Sequence, residues 1–330
     1  MPAGQTYQSL LDALDEPAFV LSKGKLRSAN AAAKALLGKD IVGRDIRLAL
    51  RHPQALDLAL AGKRADLAIV GIGGPERPWT VRVRPIEGGA ACLVSFADRS
   101  ESMAAERMRV DFVANASHEL RTPLATISGY AETLAEPDLP PELREKFAGT
   151  IGAEVVRMRR IIEDLMSLSR IEANRFIAPS EPCDLGEIAR QAAVQIAPLA
   201  ERKGCSVSVQ VDDNQPLVVR GDPGQLLQSA DNLLANAIRY GDPPIVVSAG
   251  VEHGRPFLRV HDRGPGIGAV HLPRLTERFY RVDEARSRGS GGTGLGLAIV
   301  KHIVERHRGA LDIRSRPDDG TTVTISLPPA

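Results

Sequence analysis

The chain has 330 residues, 43% of them hydrophobic and 25% charged, a globular composition at a length that holds two or three domains. A formal net charge of +1 excludes the strong field with which nucleic-acid binders and membrane-surface proteins gather their partners. Cys92, Cys183 and Cys205 are scattered, odd in number and without metal-ligand spacing, so they read as small buried residues in a reducing cytosol. Residues 1–16 carry neither a basic nor an apolar leader segment, and no apolar run has the length of a membrane span. The expectation is a cytoplasmic protein with no membrane span in this chain, or one whose membrane portion lies outside it.

In chain order, "PAFVLS" and "KLRSAN" read as two strands joined at Lys23-Gly24, and "AAAKALLG" as a short helix ending at Gly38. "RADLAIVGI", "PWTVRVRPI" and "AACLVSFADR" read as three more strands. An early hairpin, short helices and a late strand meander predict a small α+β domain over 1–98. From Ser100 the pattern becomes helical, with Val113, Ala116, Leu120, Leu124, Ile127, Ala131 and Leu134 at helical spacing. Residues 99–111 read as a helical linker. After a proline-broken connector at 135–141, a second helix is predicted over 142–171. Its Phe147, Ile151, Val155, Met158, Ile162 and Leu165 step by fours and threes, as in a coiled-coil seam. A hairpin of two such helices buries its apolar stripes poorly alone, so 112–178 is expected to dimerise into a four-helix bundle. Beyond 178 come six strand-like segments, with helices at 186–203, 223–240 and 294–308, predicting an α/β sandwich over 179–330.

Within "FVANASHELRTPLATISGY", 112–130, His118 lies about 200° around the helix from Ala116 and so points away from the apolar stripe. Asn115 and Thr122 share its face. Pro123 cannot donate to the carbonyl of Glu119, so a bend is expected just after the histidine. Taken alone, His118 is an ordinary exposed histidine. With Glu119 beside it, it also fits an exposed imidazole nucleophile whose neighbour accepts a proton.

"DNLLANAIRYG", 231–241, sets Asn232, Asn236, Arg239 and Tyr240 on one helix face, with Leu226, Ala230, Leu233, Leu234 and Ala237 on the other as core. The polar face offers oxygen ligands for Mg²⁺, a cation for phosphate and a platform for a base. "HDRGPGIG", 261–268, ends a strand at Asp262, and Gly264 and Gly266 allow a turn close to a ligand. A carboxylate there suits the exocyclic amine of adenine. "GSGGTGLGLAIVKHIVERH", 289–307, runs a glycine-rich loop into an amphipathic helix, a geometry whose backbone N–H groups cradle phosphates. It lacks the lysine of a Walker A loop and the βαβ setting of a dinucleotide fingerprint. Arg281, Arg286 and Arg288 precede it as cations suited to a lid over a triphosphate.

In this order the motifs resemble those of sensor histidine kinases of two-component systems. "SHELRTPL" is similar to that family's H-box, "NLLANAIRY" to its N-box, "DRGPGIG" to its G1 box, "RFYR" to its F-box and "GGTGLGLAIVKHI" to its G2 box. The resemblance covers about 108–328 and is nearest to the phosphate-regulon sensor kinases. Residues 1–98 resemble a PAS domain. The resemblance implies a multidomain α+β chain: a PAS-like sensor domain, a dimeric helical hairpin, and an ATP-binding domain of the gyrase, Hsp90 and histidine kinase type. It implies that His118 accepts the γ-phosphoryl group of ATP and passes it to an aspartate of a response regulator receiver domain. Glu119 is then the neighbouring base, and Thr122 helps hydrolyse the phospho-regulator. Asn236 holds Mg²⁺. Asn232, Arg239 and Tyr240 contact nucleotide, Asp262 contacts adenine, Gly292, Gly294 and Gly296 belong to the lid, and Gly264, Gly266, Arg281, Thr293 and Leu295 join them in binding ATP. Arg239 stands where the family more often has lysine, keeping the charge and changing its geometry.

Two rival classes are expected to fail. An ATP hydrolase of the gyrase, Hsp90 and MutL type carries a glutamate base four residues before the metal asparagine; here Asn232, which cannot abstract a proton, stands there. Asp231 is one residue away, on the wrong helix face. A binding module without catalysis would not need His118, Asn236, Asp262 and the glycine loop together. In 1–98 the single histidine, His52, and single cysteine, Cys92, give no cofactor signature, and His52 reads as a surface or turn residue.

Overall fold

The computed structural model describes residues 3–50, 52–212, 214–282 and 292–330. The chain forms two compact units, 1–111 and 112–330.

In the first unit, helix α1 (Ala3–Asp12) precedes strands β1 (Ala18–Ser22) and β2 (Lys25–Ala29). Helices α2 (Ala31–Leu37), α3 (Ile46–Ala49) and α4 (Pro53–Ala61) follow, then β3 (Ala65–Val70), β4 (Pro78–Ile86) and β5 (Ala91–Asp98). The strands pair antiparallel in the order β2-β1-β5-β4-β3. The predicted hairpin turns at Lys23 and Gly24, both at positive φ, the pair of conformations that matches strand twist. The helices start where side chains accept orphan N–H groups. Asn30 caps α2 by accepting from Ala33 N, Asp45 caps α3, and His52 caps α4 ahead of Pro53. Phe19, Leu26, Ile46, Leu50, Trp79 and Phe96 fill the core. Helix α1 was not expected: its Tyr7, Leu10 and Leu11 fall at helical spacing, but in a short and otherwise polar stretch. Leu11 and Tyr7 tie it to a small cluster with Ala18 and Val20.

Helix α5 (Ser100–Leu134) carries the chain from the first unit into the second and runs unbroken through Pro123. Helix α6 (Pro141–Ala173) returns beside it, and the rings of Tyr130 and Phe147 lie 4.8 Å apart across the pair. The predicted seams are not covered along their length: Val113, Leu124, Val155 and Ile162 are exposed, whereas Ile161, Leu168 and Ile171 on another α6 line are buried.

The rest of the unit comprises β6 (Glu181–Asp184), α7 (Leu185–Arg202), β7 (Val207–Val211), β8 (Val218–Gly221), α8 (Pro223–Tyr240), β9 (Ile245–Glu252), β10 (Arg255–Asp262), α9 (Gly296–Arg306), β11 (Ala310–Ser315) and β12 (Thr321–Ser326). The main sheet has the order β11-β12-β10-β9-β7, antiparallel except at β7 and β9. The short β6 pairs with β8 beside it. The side of α8 predicted as core is buried at all five positions, and α7, α8, α9 and the sheet share one apolar core that Leu168 and Ile171 of α6 enter. The bundle helix is therefore packed into the domain that carries the glycine loop.

His307, at the end of α9, is buried; its Nδ1 bonds Ile303 O at 2.7 Å, and its Nε2 accepts from Asp222 N at 2.9 Å. The ring is thus held neutral, and burial pushes its pKa down. Asp222 in turn caps α8 by accepting from Gln225 N, so the helix bearing the two asparagines is anchored at its start.

Candidate nucleotide and phosphotransfer site

On α5, His118, Asn115 and Thr122 are exposed on the shared face predicted for them, and Thr122 Oγ1 donates to the carbonyl of His118 at 3.3 Å. Glu119 points elsewhere. Its Oε2 accepts from Arg157 Nη2 of α6 at 3.0 Å and from Arg281 Nη2 at 2.9 Å. The Arg281 side chain is 8% exposed and also donates to Gly292 O of the glycine loop. A single buried guanidinium therefore joins the acid beside His118 to that loop.

On α8, Asn232 and Asn236 are half-buried on one face, Arg239 is half-buried, and Tyr240 is exposed at its end. Among the described residues, Asn232 Nδ2 is buried without a hydrogen-bond partner, a costly arrangement unless a ligand supplies an acceptor. Burial and the neighbouring Arg160 push Arg239 below its usual pKa. Asp262 ends β10 at 8% exposure, and its Oδ1 accepts from Gly264 N at 2.9 Å. Burial raises its carboxyl, and the Gly264 N–H opposes the rise. Gly241 lies so close that a Cβ there would fall 2.5 Å from Asp262 Cγ. Gly264 packs on Gly241 in the same way, and Gly266, at φ 67°, makes room for the carbonyl of Arg316.

The loop into α9 packs against protein at each of its described glycines. A Cβ on Gly292 would come within 2.1 Å of the Tyr240 hydroxyl, one on Gly294 within 2.8 Å of the Phe279 backbone, and one on Gly296 within 3.3 Å of Asn232 Oδ1. Between them, Leu295 is fully buried and its N–H donates to Thr293 Oγ1 at 3.2 Å. Asn232, Tyr240, Arg281 and 292–296 are thus in one place, with Asp262 around Gly241 and Gly264. Arg286 and Arg288 lie outside the described residues.

Several polar residues here were not anticipated. Asp164 of α6 accepts from Thr293 Oγ1 at 2.8 Å. Glu172 pairs with Arg278, which stacks over Phe112, and Ser167 bonds Gln228 at 3.0 Å. The signal was present in α6: Arg157, Ile161, Asp164, Leu168 and Ile171 step by four, three, four and three, a second seam beside the first. Asp231, which the sequence places on the wrong face, has a buried oxygen without a partner among the described residues and a carboxyl raised to about 6 by burial.

An exposed imidazole beside an acid, linked by a buried arginine to a glycine loop that packs on an asparagine face, defines an ATP-dependent phosphotransfer protein. Family models match in the same order: a PAS domain over residues 5–68, the His Kinase A phospho-acceptor domain over 108–174, and the histidine kinase-, DNA gyrase B- and HSP90-like ATPase over 221–330. The chain is 33% identical to the phosphate regulon sensor protein PhoR of Pseudomonas aeruginosa, over 98% of this chain and 76% of that protein. It is 37% identical to the sensor-like histidine kinase SenX3 of Mycolicibacterium smegmatis, over 80% of this chain and 70% of that one. Two solved structures share the fold: histidine kinase ThkA in complex with response regulator protein TrrA (TM-score 0.53, 20% identity, 98% of each chain) and Acinetobacter baumannii histidine kinase AdeS (TM-score 0.52, 23% identity, 64% of this chain and 96% of that one). The chain belongs to the PAS-containing sensor histidine kinases: it is an ATP-binding protein histidine kinase. Among the described residues no helix is long and apolar enough to cross a membrane.

Proposed function

We propose that His118 is the phosphoacceptor, that Mg²⁺ assists ATP at the α8 face, and that the phosphoryl group then passes to an aspartate of a response regulator receiver domain. The observation that carries this reading is the Glu119–Arg281–Gly292 connection, which couples the neighbour of His118 to the glycine loop. An imidazole nitrogen of His118 attacks the γ-phosphorus, an N–P bond forms, and the P–O bond to ADP breaks. Glu119 takes the imidazole proton once Arg281 releases it. Phosphoryl transfer depends on placement and charge more than on covalent chemistry by the protein.

The residues fit the nucleotide. The buried Asn232 amide has a donor to give, Asn236 supplies an oxygen one turn on, Arg239 a cation, and Asp262 a desolvated acceptor for the adenine amine. When bound, Mg²⁺ neutralises charge on the triphosphate. Thr122, exposed one turn from His118, supports hydrolysis of the phospho-regulator at the same surface. The ThkA structure holds a response regulator, and a receiver domain reaching the exposed His118 and Thr122 is the corresponding partner here. The exposed apolar side chains Val113, Leu124, Val155 and Ile162 support a homodimer closing the four-helix bundle. We assign 1–98 to the sensor domain, 99–111 to the linker, 112–178 to dimerisation and phosphotransfer, and 179–330 to ATP binding.

Asn236→Ala tests the site. Mg²⁺-dependent ATP binding should fall at least about tenfold, equivalent to ~1.4 kcal/mol, while the unfolding temperature stays near that of the wild type. Unchanged binding would remove Asn236 from the reading.

A further inference from the structure

Asp164 lies on the bundle helix, yet its carboxylate is among groups that the nucleotide site would use. Thr293, in the glycine loop, donates its hydroxyl to Asp164 Oδ2 at 2.8 Å. The positive charges of Arg160, on the same helix, and of Arg239, on the polar face of α8, both act on it, and Glu163 is the anion opposing them. Arg160 and Arg239 in turn repel each other. A half-buried anion so placed has the chemistry of a bound phosphate: it accepts from a hydroxyl of the glycine loop at 2.8 Å and lies within the field of two guanidinium groups. The loop is packed accordingly, with Gly292 on Tyr240 and Gly296 on Asn232. Burial of the carboxylate is itself unfavourable, since it pushes the Asp164 pKa up against the hydroxyl and the two arginines.

We propose that Asp164 is an internal phosphate mimic, competing with the phosphates of ATP for Thr293 and Arg239 and thereby holding the glycine loop on the bundle until nucleotide displaces it. The proposal rests on the reading of α8 and 292–296 as the nucleotide site. Its consequence reaches His118: Arg281 bonds both Gly292 and Glu119, so loop release would also free the acid beside the phosphoacceptor. Nucleotide binding would in this way relieve an inhibited arrangement.

The test measures affinities of the full chain for Mg²⁺–ATP and for adenosine by calorimetry, in wild type, Asp164→Asn, Asp164→Ala and Glu172→Gln. Removing the competing charge should tighten ATP about fivefold or more in both Asp164 variants and leave adenosine, which has no phosphate, unchanged. Autophosphorylation at subsaturating ATP should rise with it. Glu172→Gln, which weakens the Arg278 and His302 contacts elsewhere on the interface, should not reproduce this selectivity. A misfolded variant would lose ATP, so a gain cannot come from damage. ATP binding unchanged or weaker in both Asp164 variants would overturn the proposal, as would an equal gain for adenosine or an equal effect of Glu172→Gln. Loss of ATP in Asn236→Ala without a gain at Asp164 rejects the mimic and leaves the nucleotide site standing. Unchanged ATP binding in Asn236→Ala, with no gain at Asp164, removes both.

Discussion

His307 shows what one buried side chain does for the site. Its ring donates to Ile303 O, accepts from Asp222 N and is 4% exposed. A proton on Nε2 would set two donors facing each other. Its folded pKa lies below the usual 6.5, so the folded state binds fewer protons than the unfolded chain in the window below 6.5. Its contribution to stability is complete above that value and is lost as pH falls through the window. Thermal unfolding at pH 8 and pH 5.5 should show a smaller acid-induced drop for His307→Gln than for wild type; equal drops would contradict this role. Asp262, by contrast, was legible in sequence, because a strand-ending carboxylate that binds the N–H two residues on is a local device. Arg157 and Asp164 were not, because their partners come from distant parts of the chain: Asp164 and Thr293 are 129 residues apart. A charge within a helical pattern says that it needs water or a partner and not which.

At the scale of elements, the periodicities placed most helices and strands within a few residues, since most bury one face and several helices, α2, α7 and α8 among them, are capped by the residue just before them. Helix α8 matches the predicted 223–240 at both ends because Asp222 and Pro223 mark its start and Gly241 its stop. Two short elements went unseen: α1, a mostly polar helix held by Tyr7 and Leu11, and β6, a four-residue strand held by its pairing with β8. Asn30 illustrates such a tie. It is 2% exposed, and its Oδ1 accepts from Ala18 N and Ala33 N while its Nδ2 donates to the carbonyls of Leu11, Leu14 and Glu16. It caps α2, seats β1 and holds the α1–β1 connection at once. Asn30→Ala should cost about 3 kcal/mol, a cap plus buried groups left unpaired. Denaturant unfolding followed by fluorescence of Trp79, in the same core, measures it, and a loss under ~1 kcal/mol would show that the ties are dispensable.

At the scale of the molecule, α6 carries two seams. One, through Arg157, Ile161, Asp164, Leu168 and Ile171, faces Glu119 and the domain bearing the glycine loop; the other leaves Val155 and Ile162 exposed. An exposed apolar line at heptad spacing is a surface awaiting a second helix pair. The double variant Val155→Glu, Ile162→Glu should shift the chain from dimer to monomer in sedimentation while ATP binding persists. A dimer of undiminished stability would place the interface elsewhere. The order of the boxes was readable because each is a short local pattern, whereas the docking of the glycine loop against α6 was not, being a property of two surfaces meeting.

The measurement that bears most directly on the central claim is incubation with γ-labelled ATP and Mg²⁺, followed by separation under alkaline conditions, for wild type and His118→Gln. The account predicts acid-labile, alkali-stable label on the wild type and none on the variant, with ATP affinity the same in both. Label that persists on His118→Gln, or steady phosphate release with no labelled protein, would contradict it.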